Sequence, residues 1–324
     1  MPQFDVSVIG ELNLDLIFYG LPEQLVLERE HLAKDLSITL GSSSAIFAHN
    51  LALLGNRVGF SSCIGGDPFG EICVKRLAES GVDLSRVKRM AGKTTGLTAI
   101  LPQRQQRFIL TYPGTMHELS SGDLDMGYLF SAKHLHLSSY FLQKGMRPDL
   151  IEVFRRAKDA GLSTSLDTND DPEDRWPGDI QLLLKYVDIL LPNEREARKI
   201  ARTDNLDRAA EFLSSKVSTL VIKRGGLGAV AWSNKQKHVS FPPVVDEADH
   251  VGAGDSFDAG FIHQFIRGAK IEECLKFANV AGALSVTRTG GIEAFRDAAY
   301  RDAFLRKHAA GFGATRRPSS SPLR

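Results

Sequence analysis

The sequence predicts an α/β protein: a three-layer α/β/α body around a mostly parallel sheet, with a small β-sheet lid. Three observations lead there. Apolar runs of strand character alternate with helix-period stretches along most of the chain, the pattern of parallel strands joined by crossover helices. Two stretches, 11–40 and 94–115, break that alternation with strand-like segments and no helix between them, as a small projecting sheet would. Finally, 43% of the 324 residues are apolar, enough for the core of one large domain.

Each element has its own signal. Phe4, Val6 and Val8 alternate with Asp5 and Ser7 up to Gly10, which predicts a strand. Between Gly41 and Gly55, Ser42 to Ser44 offer an N-cap. Ala45, Phe47, Ala48, Leu51, Ala52 and Leu54 follow at helical spacing, and Gly55 stops the helix. Val58, Phe60 and Ser62 resume a strand, and Phe69 to Gly81 reads as a second helix. Thr94–Ile100 and Arg107–Thr111 read as a hairpin of the lid.

Beyond residue 133 the rhythm is regular. Leu135 and Leu137 alternate with His134 and His136, a helix runs from Pro148 to Ala160, and a strand follows from Ser163 to Asp167. Val187–Leu191 is a short apolar run ended by Pro192, Leu220–Lys223 is another, and Ala229–Trp232 pairs with the latter across a glycine-rich turn. Helices over Gly254–Arg267 and Ile271–Thr287 close the globular part. The domain is expected over 1–308. The stretch 309–324, rich in Gly, Ser, Pro and Arg, reads as a disordered tail.

Composition narrows the function. Forty basic side chains against 39 acidic ones leave a net charge of +1, which argues against a broad basic face for nucleic acid but leaves room for a local anion site. Three scattered cysteines without a CxxC pair fit a reducing compartment and no disulfide framework. There is neither a signal-peptide pattern nor an apolar window long enough to span a membrane, so a cytoplasmic protein is expected.

The sharpest chemistry lies in Asp249-His-Val-Gly-Ala-Gly-Asp255, followed at once by the apolar helix pattern Phe257, Ala259, Phe261, Ile262, Phe265. Gly252 and Gly254 allow a tight turn that presents bare N–H groups at a helix N-terminus, where the dipole favours a phosphate or a developing oxyanion. Asp255 in that first turn can take a proton from a hydroxyl attacking a phosphoryl group. The same residues also fit a plain loop followed by an ordinary helix-start acid. Gly65 to Gly70 has P-loop glycine spacing, but Glu71 and Ile72 follow it, so a P-loop is excluded; a dinucleotide fingerprint is absent. Lys223-Arg-Gly-Gly-Leu-Gly228 fits either a nucleotide-approach loop or a hairpin turn.

Taken together, the segments resemble the ribokinase (PfkB) family of carbohydrate kinases. Gly-Ala-Gly-Asp255 resembles its C-terminal signature and Gly41 through Gly55 to Gly66 its N-terminal one. Asn13-Leu-Asp15, Pro192-Asn-Glu-Arg-Glu196 and Gly225 to Gly228 fall between in the right order, over residues 4–305. The resemblance implies a ribokinase-like fold and transfer of the ATP γ-phosphoryl group to a hydroxyl of a small carbohydrate. Asp255 would be the base, and Gly252, Ala253 and Gly254 the anion hole. Asn193 and Glu196 would position Mg²⁺ and phosphates, Glu196 through water. Lys223, Gly225, Gly228 and Asn279 would flank the nucleotide. Asn13, Asp15, Gly41 and Ser42 would meet the substrate, and Asp249, near Gly290-Gly291, would lie where many relatives hold a monovalent cation such as K⁺. Exposed strand edges in the lid suggest a homodimer through it.

Three positions depart from the family pattern. Ser42 replaces a glycine, Ile46 replaces an asparagine that contacts sugar hydroxyls, and His250 replaces a threonine. Ribose itself is therefore not the expected substrate. Nucleoside kinase and sugar-phosphate kinase are the alternative activities, the latter supported by Arg104 and Arg107. A non-catalytic sugar-binding protein is the alternative of another class, and Asp255 argues against it.

Two other features carry weaker signals. The acidic run Asp167 to Asp174 lacks the glycine and terminal glutamate of a calcium loop. Asp167 and Asn169 are expected to orient the floor of the site and Asp170 to Asp174 to be solvated. His134 and His136 lack further zinc ligands and read as strand-edge or hydrogen-bonded histidines.

Overall fold

The computed structural model describes residues 2–103 and 106–309. Arg104 and residues 310–324 therefore lie outside it. Strands β1 (Phe4–Ile9), β2 (Leu14–Tyr19) and β3 (Asp35–Leu40) lead into helix α1 (Ser43–Leu53). Then come β4 (Val58–Gly65), α2 (Pro68–Ala78), β5 (Asp83–Met90), β6 (Leu97–Gln103), β7 (Gln106–Tyr112) and α3 (Met126–Leu129). The middle of the chain holds β8 (Ala132–Ser138), α4 (Leu150–Asp159), β9 (Ser163–Asp167), α5 (Ile180–Leu183), β10 (Ile189–Leu190), α6 (Glu194–Ala201) and α7 (Leu206–Ser214). Last come β11 (Thr219–Lys223), β12 (Ala229–Ser233), β13 (Gln236–Ser240), α8 (Ala253–Phe265), α9 (Ile271–Ser285), α10 (Glu293–Arg296) and α11 (Ala298–His308).

Nine strands form the body sheet in the order β13-β12-β11-β10-β9-β8-β1-β4-β5. Pairing is parallel from β11 through β5 and antiparallel at β11–β12–β13. One apolar layer unites α1, α2, α8 and α9 with one sheet face, and another unites α3 to α7 with the other. Helices on both faces explain why β4 is buried at every residue. Helices α10 and α11 pack on α9 through Phe295 and Phe304.

The strand order reverses between β1 and β8: β1 is followed toward one edge by β4, and the chain later returns to β8 on the other side. Loops after these two strands must diverge, so a crevice opens at their carboxyl ends. The second sheet, β3-β2-β6-β7, stands over that crevice. It is seated on the body by the cluster of Ile17, Ile100 and Val251. Tyr19 Oη also donates to Asp249 Oδ2 at 2.9 Å.

Some expectations need correcting. Of the two readings for His134 and His136 the hydrogen-bonded one holds and the edge one does not: both are buried on the central strand β8. They are hydrogen-bonded along a row of serines, Ser163, Ser165 and Ser138, at 2.6–2.8 Å. Asp171 is not solvated: its carboxylate turns inward and caps the N–H groups of Glu173, Arg175 and Trp176. Strands β5 and β13 carry too many charged and polar residues to announce themselves, because both are sheet edges. The last two helices, α10 and α11, follow the point where the sequence was expected to close the fold.

Candidate active site

A cleft of about 1040 Å³ lies between the lid and the carboxyl ends of the body strands. Asn13, Asp15, Ser42, Asn193, Glu196, Lys223, Gly225, Gly228, Gly252, Ala253, Gly254, Asp255 and Asn279 all line it. Residues 279 and 13 are far apart in sequence and meet only through the fold.

Asp255 occupies the first turn of α8, whose N-cap Gly252 has φ +72°. A Cβ on Gly252 would fall 2.5 Å from Gly291 Cα, so both its conformation and its space demand glycine. At Gly254 an added Cβ would meet only the Lys223 ammonium at 3.5 Å; its value is open backbone toward the cleft. Helix geometry leaves the first-turn N–H groups without intrahelical partners; Ala253 N turns back to His250 O at 3.4 Å, and Gly252, Ala253 and Gly254 line the cleft beside Asp255.

Burial pushes the Asp255 carboxyl up to about 7, helped by the charge of Asp167 and opposed by Lys223 and by a hydrogen bond from Ser43. That hydrogen bond ends a polar chain across the floor. Ser139 Oγ donates to Glu11 Oε1 at 2.7 Å, and Asn169 Nδ2 donates to Ser139 Oγ at 2.8 Å and to Ser43 Oγ at 2.6 Å. Glu11 also accepts from Ser44 Oγ and Gln143 Nε2 at 2.8 and 2.6 Å. The sequence reading missed Glu11. An acid directly after an apolar strand was the available signal.

Lys223 ends β11 and is not free. Its ammonium lies 2.9 Å from Asp167 Oδ2 and 3.0 Å from Asp258 Oδ2, with both carboxylates buried. Burial alone would lower its pKa, but the two carboxylates reverse that and hold it charged. Asp258 was also missed, although its position three residues after Asp255 puts it on the same helix face. Glu196 and Asn193 form a reciprocal cap at the start of α6: Asn193 N donates to Glu196 Oε2 and Asn193 Nδ2 to Oε1, at 2.9 and 2.5 Å. Burial and the Asp167 charge push Glu196 up to about 8, against the pull of Lys223.

On the lid side, Asp15 is buried and accepts from Asn13 Nδ2 at 3.3 Å. Asn13 reaches on to Thr98 and Thr98 to Thr111. Burial and the charge of Asp255 push Asp15 up to about 7, while Arg107 pulls it down. Gly41 has no room for a side chain, since a Cβ would sit 2.0 Å from Asp15 Oδ1. The Ser42 hydroxyl is spent locally, donating to Glu11 O at 2.5 Å and capping Ala45 N. Ile46 packs against the glycine backbone of Gly252 and Gly291.

Elsewhere in the lining, Gly225 and Gly228 adopt positive φ, and a Cβ on Gly228 would overlap Ser240 O. The Nδ2 of Asn279 is buried with no hydrogen-bond partner among the described residues. Both oxygens of Asp249 accept from protein donors: Val251 N on one, Tyr19 Oη and Gly290 N on the other. Among the described residues no group of three His, Cys, Asp or Glu side chains is placed to hold a metal ion alone. No helix among them is long and apolar enough to cross a membrane.

Comparison with known proteins places the whole chain. The pfkB family carbohydrate kinase profile matches residues 3–298. An ATP-dependent ribose-1-phosphate kinase of Halopiger xanaduensis is 30% identical over 254 residues, spanning 77% of this chain and 81% of its own. A ribokinase of Haemophilus influenzae is 25% identical over 302 residues, spanning 88% and 93%. Among solved structures, a candidate ribokinase II from E. coli, in complex with ATP and Mg²⁺, is 25% identical with a TM-score of 0.81, covering 94% of this chain and 99% of its own. The adenosine kinase of Sinorhizobium meliloti shares the fold at 23% identity, with a TM-score of 0.82 over 93% and 99% of the two chains. A family match over nearly the whole chain, joined to the large parallel sheet and its separate small sheet, makes this protein a member of the pfkB family of carbohydrate kinases, ATP-dependent phosphotransferases with an alcohol group as acceptor.

Proposed function

We propose that this kinase transfers the ATP γ-phosphoryl group to a hydroxyl of a small carbohydrate, with Asp255 as general base. The observation that carries the reading is one buried carboxylate poised near neutrality in the first turn of a helix whose N-terminus lines the cleft. The acceptor hydroxyl oxygen forms its bond to the γ-phosphorus as the bond from that phosphorus to the β–γ bridging oxygen breaks. The hydroxyl proton passes to Asp255, and ADP carries away the bridging oxygen. The backbone of Gly252, Ala253 and Gly254 stabilises the transferring charge, and the lid excludes water so that the hydroxyl is the nucleophile.

The residues fit a magnesium nucleotide. Asn279 brings an unpartnered donor, and Gly225 and Gly228 give a backbone approach. With both oxygens committed to Asn193, Glu196 would reach Mg²⁺ through water. The ion, when bound, neutralises phosphate charge in a cleft rich in carboxylates. Asn13 and Asp15 would meet substrate hydroxyls, with Gly41 making room for Asp15. The Ser42 hydroxyl would serve the fold rather than the sugar. We further infer a homodimer through the lid, carried by its outward apolar side chains Leu36, Ile38, Phe108, Leu110 and Tyr112, each at least 45% exposed.

Asp255→Asn tests the base. ADP release with a panel of sugars, nucleosides and sugar phosphates should fall 10²–10⁴-fold, the usual cost of losing a general base, with nucleotide affinity retained. Activity within about tenfold of wild type would refute the assignment.

A further inference from the structure

We propose that the acceptor sugar is itself an anion, a sugar monophosphate or a sugar acid, whose charged group is held by Arg107 on the lid; the proposal rests on the kinase reading above. Strand β7 alternates, so Arg107, Ile109 and Thr111 line the cleft while Phe108, Leu110 and Tyr112 face away. Arg107 therefore belongs to the cleft wall and is not one of the charges on the outer face of a hairpin.

What singles it out is the fate of the other lining cations. Lys223 is fixed between Asp167 and Asp258. Arg195 is bound by Asp170 and Asp174 and lies over the Trp176 ring. Arg107 forms no hydrogen bond or ion pair among the described residues; its resolved influence is the field it exerts on Asp15.

The chemistry follows from the lining. Asp15 on the lid and Glu11 on the floor, both buried and both lining the cleft, suit sugar hydroxyls, which can donate to them. A guanidinium only donates. Beside Asp15, an anionic group needs a countercharge, and a planar fork that engages phosphate or carboxylate oxygens in pairs supplies one. A neutral sugar would leave that cation over the cleft without a partner.

Matched pairs test this: D-ribose 1-phosphate against D-ribose, and D-gluconate against D-glucose. They are read by ADP release and, independently of turnover, by calorimetric Kd. Wild type should prefer the anionic member of at least one pair by about tenfold or more, consistent with a charged hydrogen bond that solvent partly screens. Preference in the first pair alone identifies a phosphate, in the second alone a carboxylate. Arg107→Gln should cut that preference about tenfold, and Arg107→Lys should restore part of it. No anionic preference in either pair, or an unchanged preference in Arg107→Gln, would overturn the proposal. So would an equal loss of kcat on charged and neutral acceptors, since Arg107 would then serve the transferring phosphoryl group. Failure of the kinase reading looks different: no acceptor turns over in an Asp255-dependent way, while the Kd ratio still reports on Arg107.

Discussion

A carboxylate buried at the foot of a cleft is unstable as an anion unless something nearby is positive, and for Asp255 that something is Lys223. Burial and Asp167 raise its pKa to about 7 while Lys223 holds it down. A base works when deprotonated, so kcat/KM should rise with pH through about 7 and then level off. Lys223→Met removes the opposing cation, and the limb should then move alkaline by about one unit or more. Lys223→Arg keeps the charge and should leave it near its wild-type place. Measuring the profile in all three separates a charge effect from simple damage. The Met variant will also be less stable, by about 3–5 kcal/mol, because Asp167 and Asp258 lose their shared partner. A limb unmoved in a folded Met variant would mean that a different group is titrating.

At the scale of elements, the site depends on how closely α8 and α9 cross. A Cβ on Gly260 would come within 2.7 Å of Ala281 Cβ and 3.0 Å of Ala278 Cα, so glycine lets the helices meet there. Gly282 then lies against the first turn of α8, and Asn279, one turn earlier, lines the cleft with its unpartnered Nδ2. Asn279→Ala removes a buried donor that the protein leaves unsatisfied, and alanine is the best helix former. Melting temperature should stay level or rise, while KM for ATP rises about tenfold and KM for the sugar does not. A lower melting temperature with KM for ATP intact would show the asparagine to be structural. The same crossing explains what the sequence made legible. Gly252-Ala-Gly-Asp255 is contiguous, and a helix start can be read from one short window. The Lys223–Asp167–Asp258 triad joins β11, β9 and α8, and nothing local in any of them names the partner. The sequence marks Arg107 as a candidate phosphate partner in a lid hairpin, but only the placement of β7 shows that it lines the cleft, as the placement of β1 does for Glu11. Strands β5 and β13 escaped because edge position favours the polar composition that reads as loop.

For the whole molecule, the lid is a sheet with two different jobs on its two faces. Its inner face carries Asp15, Thr98, Arg107 and Thr111 and is seated on the body through Ile17, Ile100 and Val251. Its outer face presents Leu36, Ile38, Phe108, Leu110 and Tyr112 to solvent in the monomer, on both edge strands. A four-stranded sheet with one unpaired apolar face is an aggregation hazard unless a partner covers it. A second copy offers the same face and the same lack of charge, which makes a self-complementary pair the simplest cover. Light scattering should then find wild type at twice 35.5 kDa. Leu110→Glu, which places a charge at the most exposed leucine of the β7 edge on that face, should run as a monomer, with dissociation at least about 100-fold easier, as expected when a buried apolar anchor becomes an unpaired charge. The substitution lies on the side away from the cleft, so an unchanged circular dichroism spectrum should accompany the change in mass. Because the two lids would brace each other, KM for the sugar should rise in the monomer more than KM for ATP, whose proposed site lies on the body. A monomeric wild type at tens of micromolar would end the dimer inference, and it would leave the outer face of the lid to be covered by some other protein.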